Sequence, residues 1–289
     1  MGLKTDYISE KQLEPNPGVL YIVGTPIGNL EDFSPRAKNL LSKVSIIACE
    51  DTRHSGQLFK KFEIKATLIS FHKHNIHARI PKLLKKLAEG ETLALVSDAG
   101  LPSVSDPGEE LVAASRKVGH KVVCIPGPCA AMTALVSSGL PSQRFCFEGF
   151  LPSKPKDRKA LLNSISNETR TTIIYESPHR LLKLLKELSL LCGEDRSIQV
   201  ARELTKKYEE QIGPTIGEAM KYFGENKPKG EFTLVLGGAP KGKITPISDE
   251  KLIEEMQKLI SNGVSTNHAA KKLGSKTGYS RNYLYSLMH

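Results

Sequence analysis

Residues 93–108 (LALVSDAGLPSVSDPG) constrain the fold more than any other stretch of the sequence. Four of the first five residues are apolar, which is typical of a strand buried on both faces of a parallel sheet. The Gly- and Pro-rich residues that follow predict a loop, with Ser105 or Asp106 as the N-cap of a helix and Pro107 at its first position. A strand, a Gly-rich loop and a helix N-terminus, in that order, build the ligand crevice of an open parallel sheet.

The alternation of apolar runs and helical segments extends over residues 18–139. Five predicted strands in this range indicate βαβ units and a mostly parallel sheet, and therefore an α/β domain. A Gly- and Pro-rich break near residue 140 is expected to begin a second α/β domain, over residues 140–240. Within the second domain, residues 151–159 are expected to form a basic loop.

Residues 246–289 differ from the rest of the chain because only helices are predicted there. A helix over residues 266–273, a turn over residues 274–278 and a last helix over residues 279–288 resemble a helix-turn-helix. From residue 264 to the end there are four basic residues and no acidic one, and the whole chain carries a net charge of +10. This balance favours a polyanionic partner, nucleic acid above all, although it is also compatible with simple solubility.

Several common signatures are absent from the sequence. No GxGxxG follows the first predicted strand, which argues against a dinucleotide site and against the common Rossmann-type methyltransferases. There is no P-loop, no GxSxG and no HExxH. A small cluster of His72, His74 and His77 offers too few ligands for a metal, so we predict no metal site.

The cellular compartment is also constrained by the sequence. The five cysteines are scattered and lack CxxC spacing, so we expect buried free thiols in a reducing cytoplasm. The first residues are polar and charged, which is unlike a signal peptide, and no apolar run is long enough to span a membrane. We therefore expect a cytoplasmic protein.

Four Gly-, Pro- or acid-containing loops follow predicted strands of the first domain, at residues 24–30, 50–54, 97–106 and 126–130. Because the carboxyl ends of parallel strands share one edge of a sheet, these loops are expected to converge there. Such loops present backbone N–H and C=O groups and little side-chain charge, which suits an uncharged-to-cationic polar ligand better than a polyphosphate. One loop of this kind would be an ordinary turn, but four at strand ends favour a site.

Eight motifs carry a family resemblance. In chain order they are LYIVGTPIGNLEDFSPRA, ACEDTRHS, LVSDAGLPSVSDPG, IPGPCAAMTALVSSGLP, FEGFLP, YESPHR, ARELTKKYEE and GEFTLVLGG. Over residues 20–238 the chain resembles the bacterial small-subunit rRNA 2′-O-ribose cytidine methyltransferases of the tetrapyrrole-methylase fold superfamily. One departure is Leu101, which stands where threonine is expected in SDAGTP.

The resemblance implies two α/β domains of the tetrapyrrole-methylase type with S-adenosylmethionine in the cleft between them, commonly in a homodimer. The implied substrate is a cytidine of 16S rRNA, free or in the 30S subunit. The implied cofactor contacts, mostly through the backbone, are Pro26, Asp98, Ala99, Gly100, Ser103, Pro128, Ala130, Ala131, Tyr175, Ala201, Leu204 and Thr233. Enlarging Gly100, as in Gly100→Val, is expected to abolish cofactor binding and to leave the fold intact.

Methylation of a ribose 2′-hydroxyl requires the hydroxyl to be aligned with the S–CH3 bond and to lose its proton. The candidate catalytic residues are Glu50, Arg53, Glu203 and Lys206. A carboxylate would accept the proton, and we hypothesise that Glu203 or Glu50 does so, while arginine or lysine steadies the developing charge. A salt bridge or a helix cap is the alternative role for each, and Asp51 in particular is placed to cap the following helix.

Basic and aromatic residues are the expected contacts with RNA. The expected phosphate contacts are Lys154, Lys156, Arg158, Lys159, Lys271, Lys272, Lys276 and Arg281. Tyr279, Tyr283 and Tyr285 would stack on bases or pack in the core of the helical segment. Two other functions stay open at this stage, a methylase of a small tetrapyrrole and a non-catalytic nucleic-acid-binding regulator.

Overall fold

The computed structural model describes residues 14–240, 248–277, 279 and 281–288 of the 289-residue chain, with the side chains of residues 275 and 276 left out. It divides the chain into two compact units, Met1–Gly238 and Ala239–His289. Two five-stranded sheets lie in the first unit. No helix in the described ranges is both long and apolar enough to cross a membrane. The division into three parts at residues 140 and 246 stays a prediction.

The first sheet is fully parallel, as predicted, and its strands lie in the order β3-β2-β4-β1-β5. Its strands are β1 Leu20–Val23, β2 Ile46–Cys49, β3 Thr67–Ser70, β4 Leu93–Leu95 and β5 Val122–Ile125. The surrounding elements are a 3-10 turn at Leu30–Asp32, α1 Pro35–Leu41, α2 Thr52–Lys61, α3 Ile76–Ala88 and α4 Glu109–Lys117.

Alternate side chains of each strand enter different cores in this first sheet. Tyr21 and Val23 pack in the core that contains residues of α1 and α2, whereas Leu20 and Ile22 pack in the core that contains residues of α3 and α4. Burial on both faces explains why the strands read as continuous apolar runs. Of the five free cysteines, Cys49 is buried as expected, but Cys124 is exposed because it lies in the edge strand β5.

The second sheet has the order β6-β7-β10-β8-β9, and only the β6–β7 pair is parallel. Its strands are β6 Phe145–Phe150, β7 Thr171–Glu176, β8 Ile198–Arg202, β9 Glu210–Ile212 and β10 Phe232–Leu236. The helices around it are α5 Ala130–Ser137, α6 Pro155–Asn167, α7 Pro178–Cys192 and α8 Ile216–Glu225. Helix α5 follows the last strand of the first sheet but packs on β7, β8 and β10 of the second.

Residues 155–159, predicted as part of a basic loop, instead form the first turn of α6. Lys154 is the N-cap and Pro155 occupies the start of the helix, where its missing N–H costs nothing. Pro155 alone indicates a helix start, but the charged residues around it favoured the prediction of a loop. The short strand β9 was also missed.

The helical segment contains α9 Asp249–Ser261, α10 Thr266–Thr277 and α11 Arg281–Ser286. The turn expected over residues 274–278 is wrong in position, because α10 continues through Gly274 to Thr277. The Thr277 hydroxyl donates to the Leu273 carbonyl at 2.7 Å, which supports this extra turn. Residue 278, the last of the expected turn, lies outside the described residues.

Candidate active site

Three of the four predicted loops contact one another at the carboxyl edge of the first sheet. A Cβ atom on Gly24 would lie 2.7 Å from the Cα of Gly127, so neither position can carry a side chain without displacing the other loop. Thr25 and Gly100 exchange two backbone hydrogen bonds, of 2.9 and 3.2 Å. The loops after β1, β4 and β5 therefore meet at one place, as the parallel sheet predicts.

The loop after β4 is longer than its sequence suggests. Helix α4 begins at Glu109 with Gly108 as the preceding residue, so the N-cap expected at Ser105 or Asp106, with Pro107 first in the helix, is wrong. Ser103 and Ser105 have φ angles of +70° and +66°, which turn the chain back before the helix can start. As a result, the Asp106 side chain is not a helix cap and instead lines a cavity.

A cavity of about 390 Å³ lies between this loop edge and the second sheet, within the size range of small-molecule sites. Among its lining residues are six of the expected cofactor contacts, namely Asp98, Ala99, Gly100, Ala130, Tyr175 and Thr233. Two more expected contacts, Ala201 and Leu204, line a small adjoining recess together with Ala130 and Thr233. The larger cavity therefore contains half of the twelve expected contacts, and their role in cofactor binding stays a prediction.

The remaining expected contacts support the wall or lie beside it. Pro26 is buried within the loop after β1, and the Pro128 carbonyl lies 3.4 Å from where a Cβ of Gly100 would be. The Ala131 N–H donates to Tyr175 Oη at 3.1 Å. Ser103 lines a second cavity next to the first.

Several lining residues were not foreseen. They include Ile27, Val104, Ser105, Asp106, Phe150, Glu176, Ser177, Pro178 and residues 230–232, whereas Leu101 and Cys129 lie within the stretches 98–103 and 128–131 that were expected to contact the cofactor. Phe150 and Glu176 stand in the FEGFLP and YESPHR motifs, so the motifs contained the signal although the individual residues were not selected. The polar Asp106 was missed because it was assigned to a helix cap.

Aromatic residues of the second sheet form one side of the cavity. The ring of Tyr175 lies 5.1 Å from that of Phe147 and 5.5 Å from that of Phe150. Burial raises the pKa of Tyr175, so its phenol stays neutral at physiological pH. The second sheet thus contributes aromatic rings to the cavity, together with the polar residues Glu176 and Thr233.

Glu203 and Lys206, two of the four expected catalytic residues, lie in one ion-pair cluster with Glu231. Lys206 Nζ is 2.9 Å from Glu203 Oε1 and 3.0 Å from Glu231 Oε2. Burial raises the pKa of Glu203, but hydrogen bonds from Lys206 and from the backbone N–H of Glu231 outweigh it and leave the pKa below its usual value. Of these three residues, only Glu231 lines the cavity, so Glu203 is a paired carboxylate at its margin.

The other two expected catalytic residues follow β2. Asp51 accepts a hydrogen bond from the backbone N–H of Arg53 at 2.8 Å, which confirms the capping role for Asp51. The exposed Arg53 guanidinium returns to Asp51 at 2.9 Å, and its hydrogen bonds lower the pKa of Asp51 to about 2. Glu50 is half-buried, and neither Glu50 nor Arg53 is among the residues that line the cavity.

Arg158, expected to contact phosphate, is buried in an ion-pair network, so that expectation is wrong. Its guanidinium lies 2.7 Å from Glu187 and 3.6 Å from Glu176, and Glu176 also meets Arg180 at 3.3 Å. The first turn of α6 directs Arg158 towards the core, because this position lies on the same face as the buried Leu162. Its neighbour Lys159 is exposed.

The other expected RNA contacts have mixed outcomes. Exposed residues among them are Lys154, Lys156, Lys159, Lys271, Lys272 and Arg281. The side chain of Lys276 lies outside the described residues. The rings of Tyr279 and Tyr283 stack on each other at 5.6 Å, and Tyr283 Oη donates to Asp249 at 2.6 Å, while the Tyr285 side chain is exposed. Tyr279 and Tyr283 therefore contact each other within the segment, and the side chains of Tyr283 and Tyr285 are both partly exposed.

Comparison with known proteins decides the family. A sequence profile of the tetrapyrrole (corrin/porphyrin) methylases matches residues 19–220. The chain belongs to this family. The match covers the first sheet and the second sheet apart from β10, and it includes most of the residues that line the cavity.

Several relatives of the chain carry the same name. The chain is 48% identical over 270 residues to the "Ribosomal RNA small subunit methyltransferase I" of Synechocystis sp., which covers 93% of this chain and 97% of the relative. It is 51% identical over 223 residues to the protein of that name from Escherichia coli O157:H7, covering 76% and 78%. The crystal structure of uroporphyrin-III-C-methyltransferase from Thermus thermophilus shares the fold, with a TM-score of 0.53 and 21% identity over 75% of this chain and 94% of that one.

Proposed function

We propose that this protein is an S-adenosylmethionine-dependent methyltransferase that methylates the ribose 2′-hydroxyl of a cytidine in 16S rRNA. The observation that carries the proposal is the cavity of about 390 Å³ in which the predicted cofactor loops face the second sheet. The name shared by relatives at 41–51% identity supports an rRNA substrate. We further propose that the protein acts as a homodimer in the cytoplasm, where its substrate is found.

The residues present fit a cofactor of this kind. Gly100 has a φ of +83°, and a Cβ there would lie 3.3 Å from Ile27 and 3.4 Å from the Pro128 carbonyl, so the glycine leaves room for a ligand against the loop backbone. Asp98 supplies a negative charge that suits a cationic sulfonium or ammonium group. Ala130, Tyr175 and Thr233 complete the proposed binding wall. When bound, S-adenosylmethionine supplies an activated methyl group.

The basic surface supports the choice of RNA as the substrate. The net charge is +10, and six of the eight expected phosphate contacts are exposed in the described part of the chain. Lysine and arginine at the surface attract the phosphate backbone and make affinity dependent on salt.

Transfer of labelled methyl groups separates this proposal from the other two functions. The purified chain would be incubated with S-adenosylmethionine carrying a tritiated methyl group, and with 30S subunits, deproteinised 16S rRNA and a small tetrapyrrole in parallel. Label in rRNA is the expected result. Label in the tetrapyrrole alone would point to a tetrapyrrole methylase, and transfer to none of them would point to a non-catalytic regulator.

A further inference from the structure

Asp106 lies in a wall shared by two cavities. One is the cavity of about 390 Å³ assigned above to the cofactor, and the other is a neighbouring cavity of about 360 Å³. Of the residues in this loop, only Ser105 and Asp106 line both cavities. A carboxyl group in such a position is within reach of ligands on either side.

The second cavity has the character of a nucleoside site. Lys73 and His77 line it from one side, and Ser103 and Glu109 line it from the other. The Ser103 hydroxyl is buried and has no hydrogen-bond partner among the described residues. Unpaired bases and riboses are recognised by such mixed donors and acceptors, with carboxylates accepting from the cytosine amino group.

Most of the other carboxylates at the first cavity are held in ion pairs with lysine or arginine. Glu203 is paired with Lys206, and Glu176 lies between two arginines. Asp98 accepts a hydrogen bond of 3.3 Å from the backbone N–H of Asp51. In the part of the chain that the structure describes, no lysine or arginine forms an ion pair with Asp106.

We propose that Asp106 accepts the proton of the ribose hydroxyl, with the target nucleoside in the second cavity; this rests on the proposed function. The ribose oxygen forms a bond to the methyl carbon as the carbon–sulfur bond breaks, and the electron pair of that bond stays on sulfur. The hydroxyl proton passes to the Asp106 carboxylate, which returns it to water after the product leaves. Asp106 thereby replaces Glu203 and Glu50 as the acceptor.

The acidity of Asp106 agrees with this role. Burial, followed by the negative charge of Glu50, raises the pKa of Asp106 to about 6; a hydrogen bond from Ser97 and the charge of Lys73 act in the opposite direction. The other titratable groups that line the two cavities with it are Asp98, Cys129, Tyr175, Glu176 and Glu231 in the first, and His77, Glu109 and Glu110 in the second. A carboxylate of this pKa is ionised at neutral pH and is a better proton acceptor than an ordinary aspartate.

The first test compares Asp106→Asn with Asp195→Asn, an exposed aspartate remote from both cavities. Single-turnover methyl transfer to 30S subunits should fall by about 100-fold or more in Asp106→Asn, as expected for loss of a general base. Its affinity for S-adenosylmethionine, measured by calorimetry, should stay within about threefold of the wild type. Asp195→Asn should match the wild type in both measurements.

The second test uses the wild-type protein and does not depend on the variant folding. The single-turnover rate should rise about tenfold per pH unit below pH 6 and level off above it, whereas the residual rate of Asp106→Asn should lack this limb. Three results would each overturn the proposal: a wild-type rate without a limb between about pH 5 and 7, near-normal transfer by Asp106→Asn, or loss of cofactor binding in that variant. Absence of any wild-type transfer to rRNA would instead refute the proposed function, and this assignment with it.

Discussion

The phenol oxygen of Tyr175 accepts a hydrogen bond of 3.1 Å from the backbone N–H of Ala131. Tyr175 lies in β7 of the second sheet, and Ala131 lies in the first turn of α5, just after the last strand of the first sheet. The bond also satisfies one of the N–H groups that a helix N-terminus leaves without an intrahelical partner. It therefore joins the two sheets at the wall of the cavity.

Replacing this phenol tests the junction directly. We expect Tyr175→Phe to lower the free energy of unfolding by about 1 kcal/mol, the usual net value of a hydrogen bond, and to weaken cofactor binding roughly fivefold. Tyr222→Phe is a matched control. The Tyr222 hydroxyl donates a hydrogen bond of 3.2 Å to Glu210, and neither residue lines the cavity. Denaturant titration and calorimetry should show the same loss of stability in both variants but weaker binding only in Tyr175→Phe. Equal binding by both would argue against the junction as part of the site.

Alanine variants of Gly100 and Gly119 distinguish the effect of backbone strain from that of a side chain entering the cavity. Both have positive φ, +83° and +89°, but a Cβ at Gly119 would meet nothing within 4 Å. We expect each Gly→Ala variant to lose about 1 kcal/mol of stability, since an L-residue in this region is strained. Only Gly100→Ala should also weaken cofactor binding, by tenfold or more as a rough estimate. Gly100→Val, expected from the sequence to leave the fold intact, should in fact be less stable than Gly100→Ala, since a β-branched residue tolerates positive φ poorly.

Alanine variants of Arg158 and Lys159 compare the loss of a buried cation with the loss of an exposed one. Arg158→Ala removes a partner of the buried Glu176 and Glu187, so we expect the free energy of unfolding to fall by about 3 kcal/mol. Lys159→Ala should change stability by less than about 0.5 kcal/mol. If Lys159 contacts phosphate, its loss should also make the salt dependence of rRNA binding shallower by about one unit of log–log slope. Comparable stability of the two variants in urea would contradict the buried network.

The ionised carboxylate of Asp106 should lower the free energy of unfolding at neutral pH. Its pKa is raised from 3.8 to about 6 in the folded protein, so its contribution is fully favourable only below pH 3.8 and is lost as the pH rises through 6. After allowance for partial exposure of the carboxyl group, Asp106→Asn should be about 1 kcal/mol more stable than the wild type at pH 8. The difference should vanish near pH 4 in denaturant titrations. A destabilised variant at pH 8 would show that the carboxylate has favourable partners there.

Local sequence pattern was sufficient for the parallel sheet and its converging loops. Buried strands such as β1 and β4 are short apolar runs, and the parallel order forces the following loops to one edge. The cap of α2 by Asp51 was also foreseeable, because aspartate before a helical run has this role in general.

The predictions were wrong where contacts between distant parts of the chain determine the role of a residue. Arg158 looked like a solvated cation, since its carboxylate partners lie in β7 and α7, 18 and 29 residues away along the chain. Asp106 followed by Pro107 looked like a helix start, but the positive φ at Ser105 accompanies a helix that begins two residues later, at Glu109. Neither the partner of a charge nor a left-handed serine is encoded in the nearby sequence, so the role of Asp106 emerged only from the structure.

The most direct test of the account is the chemical identity of the methylated product. After transfer of tritiated methyl groups to 30S subunits by the wild-type protein, the 16S rRNA would be hydrolysed in alkali, which cleaves next to free 2′-hydroxyls only. The account predicts label in an alkali-resistant dinucleotide that yields 2′-O-methylcytidine on enzymatic digestion. Label in mononucleotides, or in a base rather than a ribose, would contradict it.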